Sequence, residues 1–168
     1  MAGACELYFI RHGVAEERGE AWPDDGKRPL TEAGASRLRK SMSGLARAGI
    51  GFDVVLTSPL VRARQTADLV AAASDPRPPI FVVESLAPGA AYGSLVAEVE
   101  KHAKRGRIAL VGHEPDLGEM TARLLGARQA IEYKKGAMCR VDLASVPPSG
   151  PGVLRWFLPP KLMRRLGK

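Results

Sequence analysis

The run Leu7-Tyr8-Phe9-Ile10-Arg11-His12-Gly13 decides how the rest of the chain is read. Four apolar or aromatic residues in succession make a strand buried on both faces. The run then stops abruptly on a cation, an imidazole and a glycine. In an open α/β sheet, ligands bind beyond the carboxyl ends of the strands, where loops carry the chemistry. This trio suits an anion. Two later runs end in the same way. Asp53-Val54-Val55-Leu56 leads into Thr57-Ser58-Pro59 and on to Arg62, and Ile108-Ala109-Leu110-Val111 leads into Gly112-His113-Glu114. If the three strands are parallel neighbours, Arg11, His12, Arg62 and His113 converge on one pocket.

Between these runs the pattern alternates strand with helix. Residues 14 to 30, with Glu16, Glu17, Pro23, Asp24, Asp25, Gly26 and Pro29, read as a polar surface loop. Thr31 is a good N-cap, and Leu38, Met42, Leu45 and Ala46 follow at helical spacing, predicting a helix over about 32–48. A second helix starts near Val61 and runs through Ala67, Leu69 and Val70. Pro76, Pro78 and Pro79 precede a strand at Ile80-Phe81-Val82-Val83. Ser94 is the expected cap of a helix carrying Leu95, Val96 and Val99, and another helix follows from about Asp116 to Leu125. Met138 to Leu143 and Val153 to Phe157 read as a hairpin across a Pro/Gly-rich turn. The tail from Lys161 to Lys168 reads as a solvated terminal turn. The expected fold is a single domain over residues 1–168, an α/β/α sandwich in three layers with a mostly parallel central sheet.

A chain of 168 residues is long enough for a real hydrophobic core. Its net charge of +7 favours phosphorylated or otherwise acidic partners. Nucleic acid is not an expected partner, because the cations are scattered and aromatics make up only 5% of the chain. Two cysteines, Cys5 and Cys139, imply neither a disulfide framework nor a four-cysteine zinc site. No apolar run approaches membrane-spanning length and no signal segment opens the chain, so a cytoplasmic location is the default and no membrane partner is expected.

Three motifs in order carry a family resemblance that spans nearly the whole chain. Arg11-His12-Gly13, then Ser58-Pro59-Leu60-Val61-Arg62-Ala63-Arg64-Gln65-Thr66-Ala67, then Gly112-His113 resemble the histidine phosphatase superfamily, which includes the phosphoglycerate mutases. The compact length, with Arg28-Pro29-Leu30-Thr31-Glu32-Ala33-Gly34, Leu86-Ala87-Pro88-Gly89 and Gly112-His113-Glu114-Pro115, is similar to its small phosphohistidine phosphatases, the SixA-like branch. The resemblance implies a phosphoglycerate mutase-like fold and assigns Arg62, followed by Ala63, to the phosphate.

The chemistry of the residues agrees. A neutral imidazole at His12 can attack phosphorus and hold the phosphoryl group, provided its other ring nitrogen donates elsewhere, usually to a backbone carbonyl. Arg11 and Arg62 suit a clamp on the phosphoryl oxygens, since the planar guanidinium matches them with two parallel hydrogen bonds. His113 is the expected second imidazole on the transferring group, able to carry positive charge. Arg64, two positions from Arg62, points elsewhere on the helix and is expected in solvent. His102, in a charged helix end, is expected to be exposed. Relatives that cleave alkyl phosphates use a carboxylate to protonate the leaving oxygen. Glu84 and Glu114 are the two candidates for that general acid.

Competing chemistries fit less well. Cys5 and Arg11 have the Cys-x5-Arg spacing of cysteine-dependent phosphatases, but an extended strand of ~3.3 Å per residue holds them roughly 20 Å apart. Leu117 stands where a zinc-protease helix needs its second histidine. Two arginines beside His12 and His113 would repel a divalent cation. No metal and no cofactor are therefore expected. The expected function is a metal-independent phosphatase with a phosphohistidine enzyme intermediate, acting on phosphohistidine in a phosphorylated protein domain. A small phosphorylated substrate is the alternative; Val14, where many esterase and mutase relatives have a polar residue, counts against phosphosugar recognition. A phosphate-binding module without catalysis could keep the arginines but has no need of a nucleophile at His12.

Overall fold

In the computed structural model, which describes residues 3–166, the run that opened the sequence reading is the centre of the sheet. Strands β1 (Cys5–Arg11), β2 (Val54–Thr57), β3 (Ile80–Val82), β4 (Arg107–Gly112), β5 (Met138–Leu143) and β6 (Val153–Leu158) form one six-stranded sheet in the order β3-β2-β4-β1-β5-β6. The four strands β3, β2, β4 and β1 are parallel, and β5 and β6 add an antiparallel edge. Leu7, Tyr8, Phe9 and Ile10 are all buried because β1 is covered on both faces. Period-two alternation sends Leu7 and Phe9 to one layer and Tyr8 and Ile10 to the other.

The helices α1 (Glu32–Arg47), α2 (Val61–Ala72), α3 (Tyr92–His102), α4 (Asp116–Leu125) and α5 (Pro160–Arg165) fill those two layers. Leu38, Met42 and Leu45 of α1, Ala63, Ala67 and Val70 of α2, and Met163 of α5 pack against Tyr8, Ile10, Val55 and Val111. Leu95 and Val99 of α3 with Leu117, Met120 and Leu124 of α4 pack against Leu7, Phe9, Leu56 and Leu110. This is the expected α/β/α sandwich. Because β1 hands on to α1 on one face while its neighbour β4 hands on to α4 on the other, a crevice opens between their carboxyl ends. That is the topological switch point, where open α/β sheets bind ligands.

The helix starts show how local chemistry meets tertiary demand. Thr31 caps α1 as expected, its Oγ1 accepting the Gly34 N–H at 2.9 Å. Gly34 is required for a further reason. A Cβ there would stand 2.2 Å from the Val14 carbonyl oxygen, so only glycine lets α1 seat against the loop that leaves β1. The third helix begins two residues before the expected cap. Its N-cap is Ala91, and the Ser94 hydroxyl donates to the Ala91 carbonyl from inside the first turn.

The basic tail corrects the sequence reading. It is a short helix, not a solvated turn, because Pro160 supplies a preformed first turn and Met163 is fully buried against α1. The Ser41 hydroxyl of α1 is 3.4 Å from the Pro160 carbonyl. Gly167 and Lys168 lie outside the described residues. No described helix is long and apolar enough to cross a membrane.

Candidate active site

His12 follows β1 directly, and its ring is fixed by backbone chemistry. Nδ1 lies 2.7 Å from the Gly13 carbonyl oxygen. A carbonyl can only accept, so Nδ1 carries the proton and Nε2 keeps its lone pair. Around that bond the loop is pinned from three sides. The Gly13 N–H donates to Thr66 Oγ1 of α2 at 3.1 Å, and the Thr31 N–H donates to the Val14 carbonyl at 3.0 Å. Gly136, in the left-handed conformation that glycine adopts without strain, donates its N–H to the carbonyls of both Arg11 and His12.

Arg62, in the first turn of α2, reaches Nε2 of His12 with its Nε at 3.4 Å and is only 3% exposed. His113, following β4, stands beside His12, their ring centroids 5.1 Å apart and their planes tilted by 54°. Its Nε2 is 2.7 Å from Ser58 Oγ, and its Nδ1 is buried with no partner among the described residues. Arg11 completes the group from the last position of β1, its Nη1 donating to the Tyr133 carbonyl at 2.6 Å. The Nε of Arg11 is likewise buried without a partner. The four predicted side chains therefore come together at one end of the sheet.

Burial, more than the nearby cations, sets the charge of the two histidines. Burial pulls the His12 imidazole down to about 4, reinforced by Arg62, Arg11 and Lys135 and opposed by its bond to Gly13. Burial also pulls His113 down to about 3, with His12, Arg62 and Arg11 adding to the effect. Both shifts favour the neutral ring, including at His113, over the positive charge allowed for it in the sequence reading. The guanidiniums of Arg11 and Arg62 are lowered by burial too, but arginine starts so high that both remain charged.

Asp25 is the residue that sequence reasoning missed. It sits in a one-turn 3-10 helix (Asp25–Lys27) within the polar loop. Its carboxylate takes Arg62 Nη2 at 3.0 Å, Arg28 Nε at 3.0 Å and Arg18 Nε at 3.2 Å, while its backbone carbonyl takes Arg62 Nη1 at 2.8 Å. An acidic residue in an irregular loop carries no periodic signal that would single it out. Tyr133 was also missed. Its buried side chain bonds Thr121 at 2.8 Å and fixes the loop whose carbonyl holds Arg11.

The two candidate acids differ. Glu84 is exposed in the turn after β3, and its carboxylate makes no hydrogen bond or ion pair among the described residues. Glu114 is half-buried, and burial raises its carboxyl above the usual range despite Arg11 nearby. It also clasps the pocket loop, accepting the Gly118 N–H at 3.0 Å and the Tyr133 N–H.

Other expectations resolve as follows. Arg64 points away and pairs with Asp68 one turn on, at 3.3 Å. His102 is not exposed but half-buried, between Glu98 and the Phe81 ring, because α3 turns it toward the sheet edge. Cys5 occupies the far end of β1 from Arg11, and burial raises its thiol to about 11, out of nucleophilic range. Among the described residues no three His, Cys, Asp or Glu side chains gather as metal ligands.

An uncharged imidazole with a free lone pair, flanked by permanent cations at the mouth of an α/β sheet, suits the handling of a phosphoryl group. Comparison with known proteins gives the family. A profile of the histidine phosphatase superfamily (branch 1) matches residues 7–87, from β1 to just past β3. Phosphohistidine phosphatase SixA of Escherichia coli K12 is 26% identical over 157 residues, 92% of this chain and 94% of its own length. An uncharacterized protein of Picosynechococcus is 45% identical over 117 residues, 68% of this chain and 69% of its own. A solved structure of the protein histidine phosphatase SixA complexed with tungstate superposes with a TM-score of 0.82 at 25% identity, covering 94% of this chain and 99% of that one. The chain belongs to the histidine phosphatase superfamily, and within it is SixA-like. It is a phosphatase of the histidine-nucleophile type.

Proposed function

We propose that the protein removes phosphate from phosphohistidine in proteins, without a metal, through a phosphoryl group carried on Nε2 of His12. The observation that carries this reading is the Nδ1–H to Gly13 carbonyl bond at 2.7 Å, which leaves Nε2 unprotonated and next to Arg62. The Nε2 lone pair attacks phosphorus in line with the leaving nitrogen. The new P–N bond forms as the substrate's P–N bond breaks, and the substrate ring, protonated on its other nitrogen, keeps that electron pair and departs as neutral imidazole. Arg11, Arg62 and His113 hold the non-bridging oxygens. Water then attacks the phospho-His12 phosphorus, its protons leave with the phosphate product and solvent, and Nε2 regains its lone pair. The buried, unpartnered Arg11 Nε and His113 Nδ1 support this placement, since a polar atom left unpaired in the interior is costly. The tungstate in the related SixA structure is a tetrahedral oxyanion of the same kind.

The phosphohistidine substrate is favoured because imidazole, with a reference pKa of about 6.5, leaves far more easily than an alkoxide. Such a substrate needs little help from an acid, and Glu84 is an exposed carboxylate with no hydrogen bond or ion pair among the described residues to aim it at a leaving group. A small-phosphoester reading has one observation behind it, the raised carboxyl of Glu114 beside Arg11. Turnover of phosphohistidine peptides, phosphoimidazole, aryl phosphates and alkyl phosphates, with and without EDTA, separates the two. The expected result is high activity on phosphohistidine and aryl phosphates, collapse on alkyl phosphates, and no effect of the chelator. Alkyl phosphates turned over as fast as phosphohistidine would transfer the assignment to small phosphoesters, and inhibition by EDTA would remove the metal-free mechanism.

A further inference from the structure

The phosphate pocket does not exhaust the basic surface around His12. A groove of about 420 Å³ begins at Gly13 and Gly136, the glycines that flank and hold the His12 backbone, and runs away from the pocket between α1 and α5. Five cations line it: Arg37 from α1, Lys134 and Lys135 from the loop before β5, and Lys161 and Arg164 from α5. No Asp or Glu is among its described lining residues, and none of the five cations is ion-paired among the described residues. Elsewhere Arg28, Arg64, Arg107, Arg140 and Arg155 each meet a carboxylate, whereas this groove gathers five unpaired cations and no acid among its described lining residues. The inner end of the groove is electrostatically continuous with the pocket, because the Lys135 charge helps to depress the His12 imidazole.

From this juxtaposition we infer that the groove receives an acidic segment of the phosphorylated protein, next to the phosphohistidine in the substrate's own structure. The inference rests on the phosphohistidine reading above and names what the enzyme recognises beyond the phosphoryl group. Unpaired like charges crowded around one groove repel each other. A run of carboxylates relieves that repulsion and also speeds encounter with a protein of net charge +7. The groove floor of Leu38, Pro159, Pro160 and Leu162 can take the aliphatic stems of the same segment. A free phosphoryl donor such as phosphoimidazole fills only the pocket and gains nothing from the groove.

The test uses two synthetic peptides with one phosphohistidine each, flanked by aspartates in one and by serines in the other, with phosphoimidazole as a third substrate. The enzymes are the wild type and the double variant Arg37→Glu/Lys161→Glu, both exposed positions that make no bond to the four pocket residues. Wild type should favour the aspartate peptide by about tenfold in kcat/KM, as expected from two or three exposed ion pairs, with the difference in KM and not in kcat. That preference should vanish in the variant and in about 0.5 M salt, which screens exposed charges. Phosphoimidazole turnover should show that the variant is folded and active. Equal kcat/KM for the two peptides in wild type, or a preference that survives charge reversal, overturns the groove assignment. Turnover of phosphoimidazole with neither peptide cleaved is a different outcome. It overturns the protein-phosphohistidine reading itself, and the groove assignment falls with it.

Discussion

The carboxylate of Asp25 holds Arg62 by its outer edge: Asp25 Oδ2 meets Nη2 at 3.0 Å and the Asp25 carbonyl meets Nη1 at 2.8 Å. With its terminal nitrogens so engaged, the guanidinium turns its Nε toward His12. Asp25 is itself pulled below the usual carboxylate range by Arg28 and Arg62, against a cost from burial, so it stays charged. Asp25 thus fixes how Arg62 faces His12, and the loop that carries it borders the pocket.

A double-mutant cycle tests that role. Arg62→Ala should lower kcat by about 10²–10³, the usual cost of one preorganised donor. Arg64→Ala should change it little, since Arg64 pairs with Asp68 away from the pocket. Asp25→Asn should lower kcat by about tenfold with a smaller change in KM, and should cost nothing more once Arg62 is already alanine. Additive losses in the double variant would mean that Asp25 acts independently of Arg62.

The nucleophile can be trapped. His12→Ala should fold and lose turnover, and wild type quenched without acid during reaction with labelled substrate should carry an N-linked phosphoryl group on residue 12. Label on Cys5 would contradict both the buried, raised thiol and the mechanism.

Acid should destabilise the fold through its two pocket histidines. Their folded values, about 4 for His12 and about 3 for His113, lie below the reference of about 6.5. The unfolded chain therefore takes up these protons first. The stabilisation is complete above about pH 6.5 and is lost as pH falls from there through about 4 for His12 and about 3 for His113. Imidazole resonances of both residues should titrate only in the acid range, and the urea midpoint should fall from pH 6.5 toward pH 4. An Nε2 of His12 that titrates near 6.5 in the folded protein would show that burial does not hold it neutral.

Glu84→Gln and Glu114→Gln should each leave phosphohistidine turnover within about tenfold of wild type, roughly 1.4 kcal/mol in barrier. Any loss in Glu114→Gln should come with a loosened loop, since that carboxylate accepts the Gly118 and Tyr133 N–H groups. Hydrogen exchange at those two amides reads the loosening directly. A larger kinetic loss with both amides still protected would make Glu114 an acid in the reaction.

What could be read without the structure were features encoded over short spans. The apolar run of β1 ending in Arg11-His12-Gly13, the Thr31 cap, and the helix at Asp116–Leu125 each depend on neighbours a few residues away. Helical phase set Arg62 and Arg64 on different faces and the family resemblance chose Arg62, and the two are buried and exposed respectively. The four pocket residues were legible because each closes a strand or opens a helix, where the pattern changes character. The convergence of Arg11, His12, Arg62 and His113 was conditional on strand order, and the β2-β4-β1 adjacency that makes it real is a long-range pairing.

Everything else needed the tertiary structure, for the same physical reason. Asp25 lies 37 positions from Arg62, in a loop with no periodicity, and only folding brings its charge to that guanidinium. The basic tail reads as solvent-facing until Met163 finds the surface of α1, and the groove beside it is built from four separate segments of the chain. The neutrality of His12 and His113 is likewise a property of burial. Composition and order determined which chemical groups this protein owns; desolvation and distance, which exist only in the folded chain, decided their charge, their aim and their partners.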